Sequence, residues 1–397
     1  TPGLDSERRP VMVWLHGGGF ANGSGGAAMY DGGALARKGD VVTVTVNHRL
    51  NVFGYLHLGE VFGPDYAQSG VAGMLDIVQA LEWVRDNIAV FGGNPADVTI
   101  FGESGGGWKV SLLLAMPGAR GLFHKAIIQS GPGLTAKPAA DADHTTRALL
   151  EKLGVKTAVE LAAVPTDHLS RTSITIGSDV MRLYAPVLDG TAIPRHPFEP
   201  DAAPLNADVP VLIGTNKDES TLFLLGHPRF GDFTDDDVMK QAKAAAGDRA
   251  DDLLAALRRA YPDYSPTHIG AAAQTVGSMW INSVRLAERK AAQGSAPVFM
   301  YMLTWETPVS RGRLRSPHAV EIPLVFDNVE KARNFVGRGD DPQVVADQMS
   351  DAWLAFAHTG DPGWPAYDAT RRATMMFNVE SGVADDPLPE VRAILNG

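Results

Sequence analysis

Val98-Thr99-Ile100-Phe101-Gly102-Glu103-Ser104-Gly105-Gly106 runs a β-rich apolar segment straight into a serine bounded by glycines. An apolar helix reaching Leu114 is predicted to follow. A strand that turns into a helix through G-x-S-x-G holds the serine on a bend too tight for side chains at its neighbours. The start of the helix then aims the Gly105 N–H at the place where a developing oxyanion would sit. Glycine makes up 42 of the 397 residues, so chance supplies roughly one such match in four chains of this composition. The surrounding elements must therefore carry the argument.

Upstream, Val11 to Leu15 reads as a strand that breaks into His16-Gly17-Gly18-Gly19. Val41 to Val46 reads as its neighbour, a strand apolar enough to be buried on both faces. Between them and the serine, Met74, Ile77, Val78, Leu81, Val84 and Ile88 recur at helical spacing. Asp76, Glu82, Arg85 and Asp86 fill the opposite side, the pattern of an amphipathic helix lying on a sheet. Downstream, strands are expected at Ala126–Ile128, Val209–Ile213, Val298–Leu303 and Thr374–Phe377, with a helix over Val344–Ala357. Strands alternating with helices imply a mostly parallel central sheet, an α/β architecture. The Ala-rich, charged stretches at about 136–182 and 232–290 have helical periodicity and read as excursions from one sheet. Residues 1–397 are thus expected to form a single domain.

Composition narrows the function. A net charge of −11 with no Lys/Arg run offers no surface for a phosphate backbone, so nucleic acid is excluded as a partner. No apolar run approaches the ~20 residues of a membrane span. The absence of cysteine removes disulfides, thiolate metal sites and a cysteine nucleophile. It leaves the compartment open between a bacterial cytoplasm and a periplasmic or secreted location. Oligomeric state is not readable. Thr1 is not Met and no signal peptide follows it, so the natural N-terminus is expected to lie upstream.

Four residue groups carry chemistry. Ser104 is the candidate nucleophile. The His16–Gly19 loop follows a strand and can bring bare backbone N–H groups to a substrate carbonyl, as in lipases and esterases. It lacks the G-x-G-x-x-G or Gly-Lys-Ser/Thr pattern of a phosphate cradle, and its bland reading is a flexible turn. The chain order Ser, acid, His of α/β-hydrolases places the base after Ser104. Among the eight histidines there, His318 stands out on a Pro-containing loop after the strand ending near Trp305; the alternative is a surface histidine. Asp218 and Glu219 both follow the Val209–Ile213 strand and compete for the acid.

Taken together these blocks resemble the type B carboxylesterases, which include cholinesterases and bacterial para-nitrobenzyl esterases. The resemblance covers Val11–Phe20, Asn47–Leu50, Phe91–Ser104, Gly121–Gly131, Pro186–Gly190, Gly214–Phe223, His318–Phe326 and Thr359–Tyr367, in family order. It implies the α/β-hydrolase fold, Glu219 as the acid, His318 as the base and Gly18, Gly19 and Gly105 as oxyanion donors. It also implies that Ser130 supports acid and base by hydrogen bonding. Gly105 replaces the commoner alanine of the family. Family members carry strands ahead of the position of Thr1. These would pair with Val41–Val46, which without them is expected to be an open, aggregation-prone edge.

The expected reaction is hydrolysis of a small-molecule carboxylic ester through an acyl-enzyme, with neither metal nor cofactor. Phe20, Trp108 and Phe223 flank the catalytic blocks and are candidates for lining the substrate pocket, their plainer reading being core. The rivals are amide, carbamate or lactone hydrolysis by the same residues, and a non-catalytic binding or adhesion member of the family.

Overall fold

A computed structural model describes residues 1–5 and 7–396. Eight strands form one sheet: β1 (Arg9–Leu15), β2 (Val42–Val46), β3 (Gly93–Glu103), β4 (Lys125–Gln129), β5 (Val211–Asn216), β6 (Val298–Leu303), β7 (Ala373–Phe377) and β8 (Gly382–Asp385). Their order across the sheet is β2-β1-β3-β4-β5-β6-β7-β8. All neighbours are parallel except β7 and β8. The α/β expectation thus holds, and the architecture is that of an α/β-hydrolase.

Side chains of a strand alternate between faces, and here that alternation builds two cores. Val11, Val13 and Leu15 of β1, Val98 and Ile100 of β3, and Val211 and Ile213 of β5 pack into one core. The helix Ala72–Asn87 covers it with Met74, Ile77, Leu81 and Val84. Met12, Trp14, Phe101, Ile127, Leu212 and Tyr301 face the other side. There the helix Asp341–Thr359 contributes Met349, Trp353 and Phe356. Both faces of the central strands are therefore dry, which explains why they read as continuous apolar runs.

Three readings of the sequence need correction. The Val42–Val46 strand is not buried on both faces: it is the last strand of the sheet, paired only with β1, and Thr45 is exposed. Its Val-Thr-Val-Thr-Val pattern is a period-two alternation, the mark of a half-solvated strand. β3 begins five residues earlier than expected, at Gly93. β8 was not anticipated, because Gly-Val-Ala-Asp is short, largely exposed and antiparallel. Helices lie within both stretches, 136–182 and 232–290. The first contains helices at Ala139–Leu153 and Thr166–Ser173, the second at Asp235–Ala246, Ala250–Ala260 and Pro266–Thr275.

Candidate active site

Four adjacent strands carry the candidate residues. Ser104 follows β3, Ser130 follows β4, Glu219 follows β5 and His318 lies on the loop after β6. At the β3 turn Ser104 takes φ 56° and ψ −122°, a conformation that L-residues rarely adopt. Packing over-determines this strain. The Ser104 N–H donates to the Gln129 carbonyl at 2.8 Å, and its own carbonyl accepts the Trp108 N–H at 3.0 Å. A Cβ on Gly106 would stand 1.9 Å from the Leu15 carbonyl oxygen, so only glycine lets the helix Gly105–Leu113 start so close to β1.

His318 is buried between carboxylates. Its Nδ1 meets Glu219 Oε2 at 2.5 Å, and its Nε2 stands 2.9 Å from Glu103 Oε1. Glu219 is oriented from behind, its Oε1 accepting the Asn216 N–H at 2.7 Å. The sequence left Asp218 and Glu219 tied. The structure turns them apart: Asp218 accepts the Tyr264 hydroxyl at 2.7 Å and the Ser316 N–H at 3.2 Å, away from the imidazole. Burial pushes Asp218 up to about 6. Burial alone would depress His318, yet the two carboxylates outweigh it and hold its pKa well above the usual imidazole value. A third carboxyl, Glu321, is fully buried nearby. It accepts from Asn216 Nδ2 at 2.5 Å and Gln129 Nε2 at 3.4 Å. Burial and the charges of Glu103 and Glu219 push the Glu321 carboxyl well up from the usual glutamate value.

The loop His16–Gly19 follows β1. Gly18 and Gly19 have φ of 84° and 61°. Among the described residues no acceptor takes the N–H of Gly18 or Gly19. Gly105 opens its helix, so its N–H has no partner within that helix. Among the described residues the N–H groups of Gly18, Gly19 and Gly105 thus have no backbone acceptor.

Not every candidate joins the site. Ser130 has φ 49°, and its buried hydroxyl makes no hydrogen bond, so it does not reach the acid or the base. Phe20 is fully buried against Tyr55 and Trp108, beneath the loop. Trp108 is half-buried, its Nε1 donating to the Thr135 carbonyl and the Arg182 guanidinium lying 5.1 Å over its ring. Phe223 is 52% exposed with its ring 4.7 Å from that of His318, the one aromatic of the three open at the mouth of the site. Ser104 Oγ has no hydrogen bond to His318, whose Nε2 is turned to Glu103. In free enzymes such catalytic contacts are often long or misaligned and tighten when substrate binds.

The sequence reading passed over Glu103, Glu321 and Lys109. Glu103 filled the variable position of G-x-S-x-G, and Glu321 sat unremarked in the His318 block. Lys109 left a signal: it is the single charge in the apolar run Gly105–Leu114. It is completely buried.

The profile of the carboxylesterase family matches residues 1–386. The chain belongs to the carboxylesterase family. A para-nitrobenzyl esterase of Bacillus subtilis is 35% identical over 408 residues, covering 99% of this chain and 80% of that protein. A phenmedipham hydrolase of Pseudarthrobacter oxydans is 32% identical, covering 96% and 78%. Among solved structures, the carboxylesterase EST55 of Geobacillus stearothermophilus aligns with a TM-score of 0.89 at 39% identity, over 100% of this chain and 84% of that one. This carboxylesterase is accordingly a carboxylic ester hydrolase. No helix among its described residues is long and apolar enough to cross a membrane.

Proposed function

We propose that this carboxylesterase cleaves small carboxylic esters through an acyl-enzyme on Ser104, with His318 as general base and Glu219 as the group that orients it. The observation that carries the reading is the 2.5 Å His318–Glu219 pair, whose imidazole also reaches Glu103, the residue next to a serine held at positive φ on the strand-to-helix bend. His318 takes the hydroxyl proton as Ser104 attacks the ester carbonyl. Glu219 stabilises the imidazolium, and the N–H groups of Gly18, Gly19 and Gly105 receive the oxyanion. The protonated His318 passes its proton to the departing alcohol. Water, activated by the same ring, then releases the acid. Phe223 stands where it would contact the substrate.

The test is hydrolysis of para-nitrophenyl acetate and butyrate by the wild type and Ser104→Ala, with labelling of each by an organophosphonate. Turnover and labelling that disappear in Ser104→Ala support the assignment. Labelling that persists in Ser104→Ala refutes it.

A further inference from the structure

Lys109 is buried in the helix Gly105–Leu113, five residues after Ser104, and among the described residues has no carboxylate within ion-pair distance. Its Nζ donates instead to two backbone carbonyls, His16 O at 3.0 Å and Gly19 O at 2.9 Å. Those carbonyls flank the two peptides whose N–H groups are free in the oxyanion loop. Between them, Gly17 O is 2.9 Å from His16 Nδ1, and Gly18 O accepts the N–H groups of Ala21 and Asn22, each at 3.2 Å. Four successive peptides from His16 to Phe20 are thus each held by the carbonyl. Lys109 supplies the first and the last.

Gly105, one turn earlier on the same helix, completes the arrangement. A Cβ there would lie 2.2 Å from Gly19 O, the oxygen that Lys109 holds. The ammonium keeps the loop close over the helix, and the missing methyl leaves room for it. A buried ammonium is costly unless several acceptors surround it. Burial pushes Lys109 down to about 7, opposed by the charge of Glu103. The neutral amine still carries two donors, enough for both carbonyls. We propose that Lys109 is a positioning residue for ester hydrolysis, clamping the His16 and Gly19 carbonyls so that the Gly18 and Gly19 N–H groups point at the oxyanion, with Gly105 providing the space the clamp requires.

This rests on the assignment of Ser104 and its oxyanion donors, so Ser104→Ala is run alongside. In Lys109→Met the apolar stem is kept and both bonds are lost. Turnover of para-nitrophenyl butyrate is expected to lose about 100-fold in kcat, with KM within about twofold, since misplaced donors weaken the transition state and spare ground-state binding. Affinity for a trifluoromethyl ketone, which forms a tetrahedral adduct with the serine, should fall in parallel. Lys109→Gln, which keeps an N–H donor, should recover part of the loss. An unchanged kcat, or a loss confined to KM, overturns the proposal. If Lys109→Met does not fold, Gly105→Ala decides. Its methyl must displace the Gly19 carbonyl, so a kcat within about twofold of wild type there also overturns it. Should Ser104→Ala retain full activity, it is the assignment of the site that fails.

Discussion

Replacing Glu103 by glutamine removes a charge 2.9 Å from His318 Nε2 and leaves the side chain's shape intact. His318 must be neutral to accept the Ser104 proton. In the folded chain its pKa lies well above the usual value, because burial, which opposes the charge, is outweighed by Glu103 and Glu219. The neutral fraction, and with it kcat/KM, therefore rises with pH until that pKa is passed. An opposite charge this close stabilises the imidazolium, and each pH unit of that stabilisation is about 1.4 kcal/mol. In Glu103→Gln the acid limb of kcat/KM should move to lower pH, since the amide N–H can donate to a neutral Nε2. On that limb the variant should be faster than wild type, by about tenfold per unit of displacement. Its plateau should be lower, because the imidazolium formed in the transition state keeps only Glu219. The assay is kcat/KM for para-nitrophenyl acetate across about pH 5 to 9, free of substrate ionisation. A limb that stays in place, or moves up, refutes this account of the site's electrostatics.

Glu219→Gln should lower kcat by about 10⁴ at unchanged fold, whereas Asp218→Asn should change the melting temperature more than kcat. Steady-state kinetics beside calorimetry separate the two. Glu321 keeps a proton in the folded state to a pH well above the usual glutamate value, near which the unfolded chain releases it. Its contribution to stability is therefore full below that usual value and declines with rising pH, by at most about 1.4 kcal/mol per unit. Glu321→Gln should flatten that slope in denaturant titrations, and an unchanged slope would exclude Glu321 as its source. Thr45 is exposed on β2, the strand at one end of the sheet among the described residues. Thr45→Lys should reduce aggregation on concentration while leaving kcat alone, as followed by light scattering.

The central strands were legible because burial on both faces writes an uninterrupted apolar run, as in Ala126–Ile128 and Val298–Leu303. Edges were not. β8 has almost no buried surface to mark it, and the first half of β3, Gly-Asn-Pro-Ala-Asp, carries the composition of a turn. Ser104 stood out because its bend demands glycines at fixed offsets. His318 and Glu219 come together only through the loops after β5 and β6, so the residues by themselves could not separate Glu219 from Asp218 and the family resemblance had to. Glu103 and Glu321 were missed for a related reason. Glu103 faces the imidazole of a residue more than two hundred positions away, and Glu321 is held by Asn216 and Gln129, each more than a hundred positions upstream, relations that no local pattern encodes.

Ser104, Glu219 and His318 leave the sheet from β3, β5 and β6, so the spacing of the proposed nucleophile, acid and base is metered by a span of four strands, about 14 Å at the usual separation. The sheet is a ruler for its own chemistry. Its gradations are set by twist, and twist is set by how the two cores press on the faces. Repacking Tyr301 against Trp353, well beneath the substrate, therefore bends the ruler. Substitutions there that keep the packed volume should alter turnover at small cost in stability, whereas truncation should cost about 3–5 kcal/mol. For anyone evolving this esterase, the deep aromatic layer is a way to adjust catalysis without touching a single residue that meets the ester.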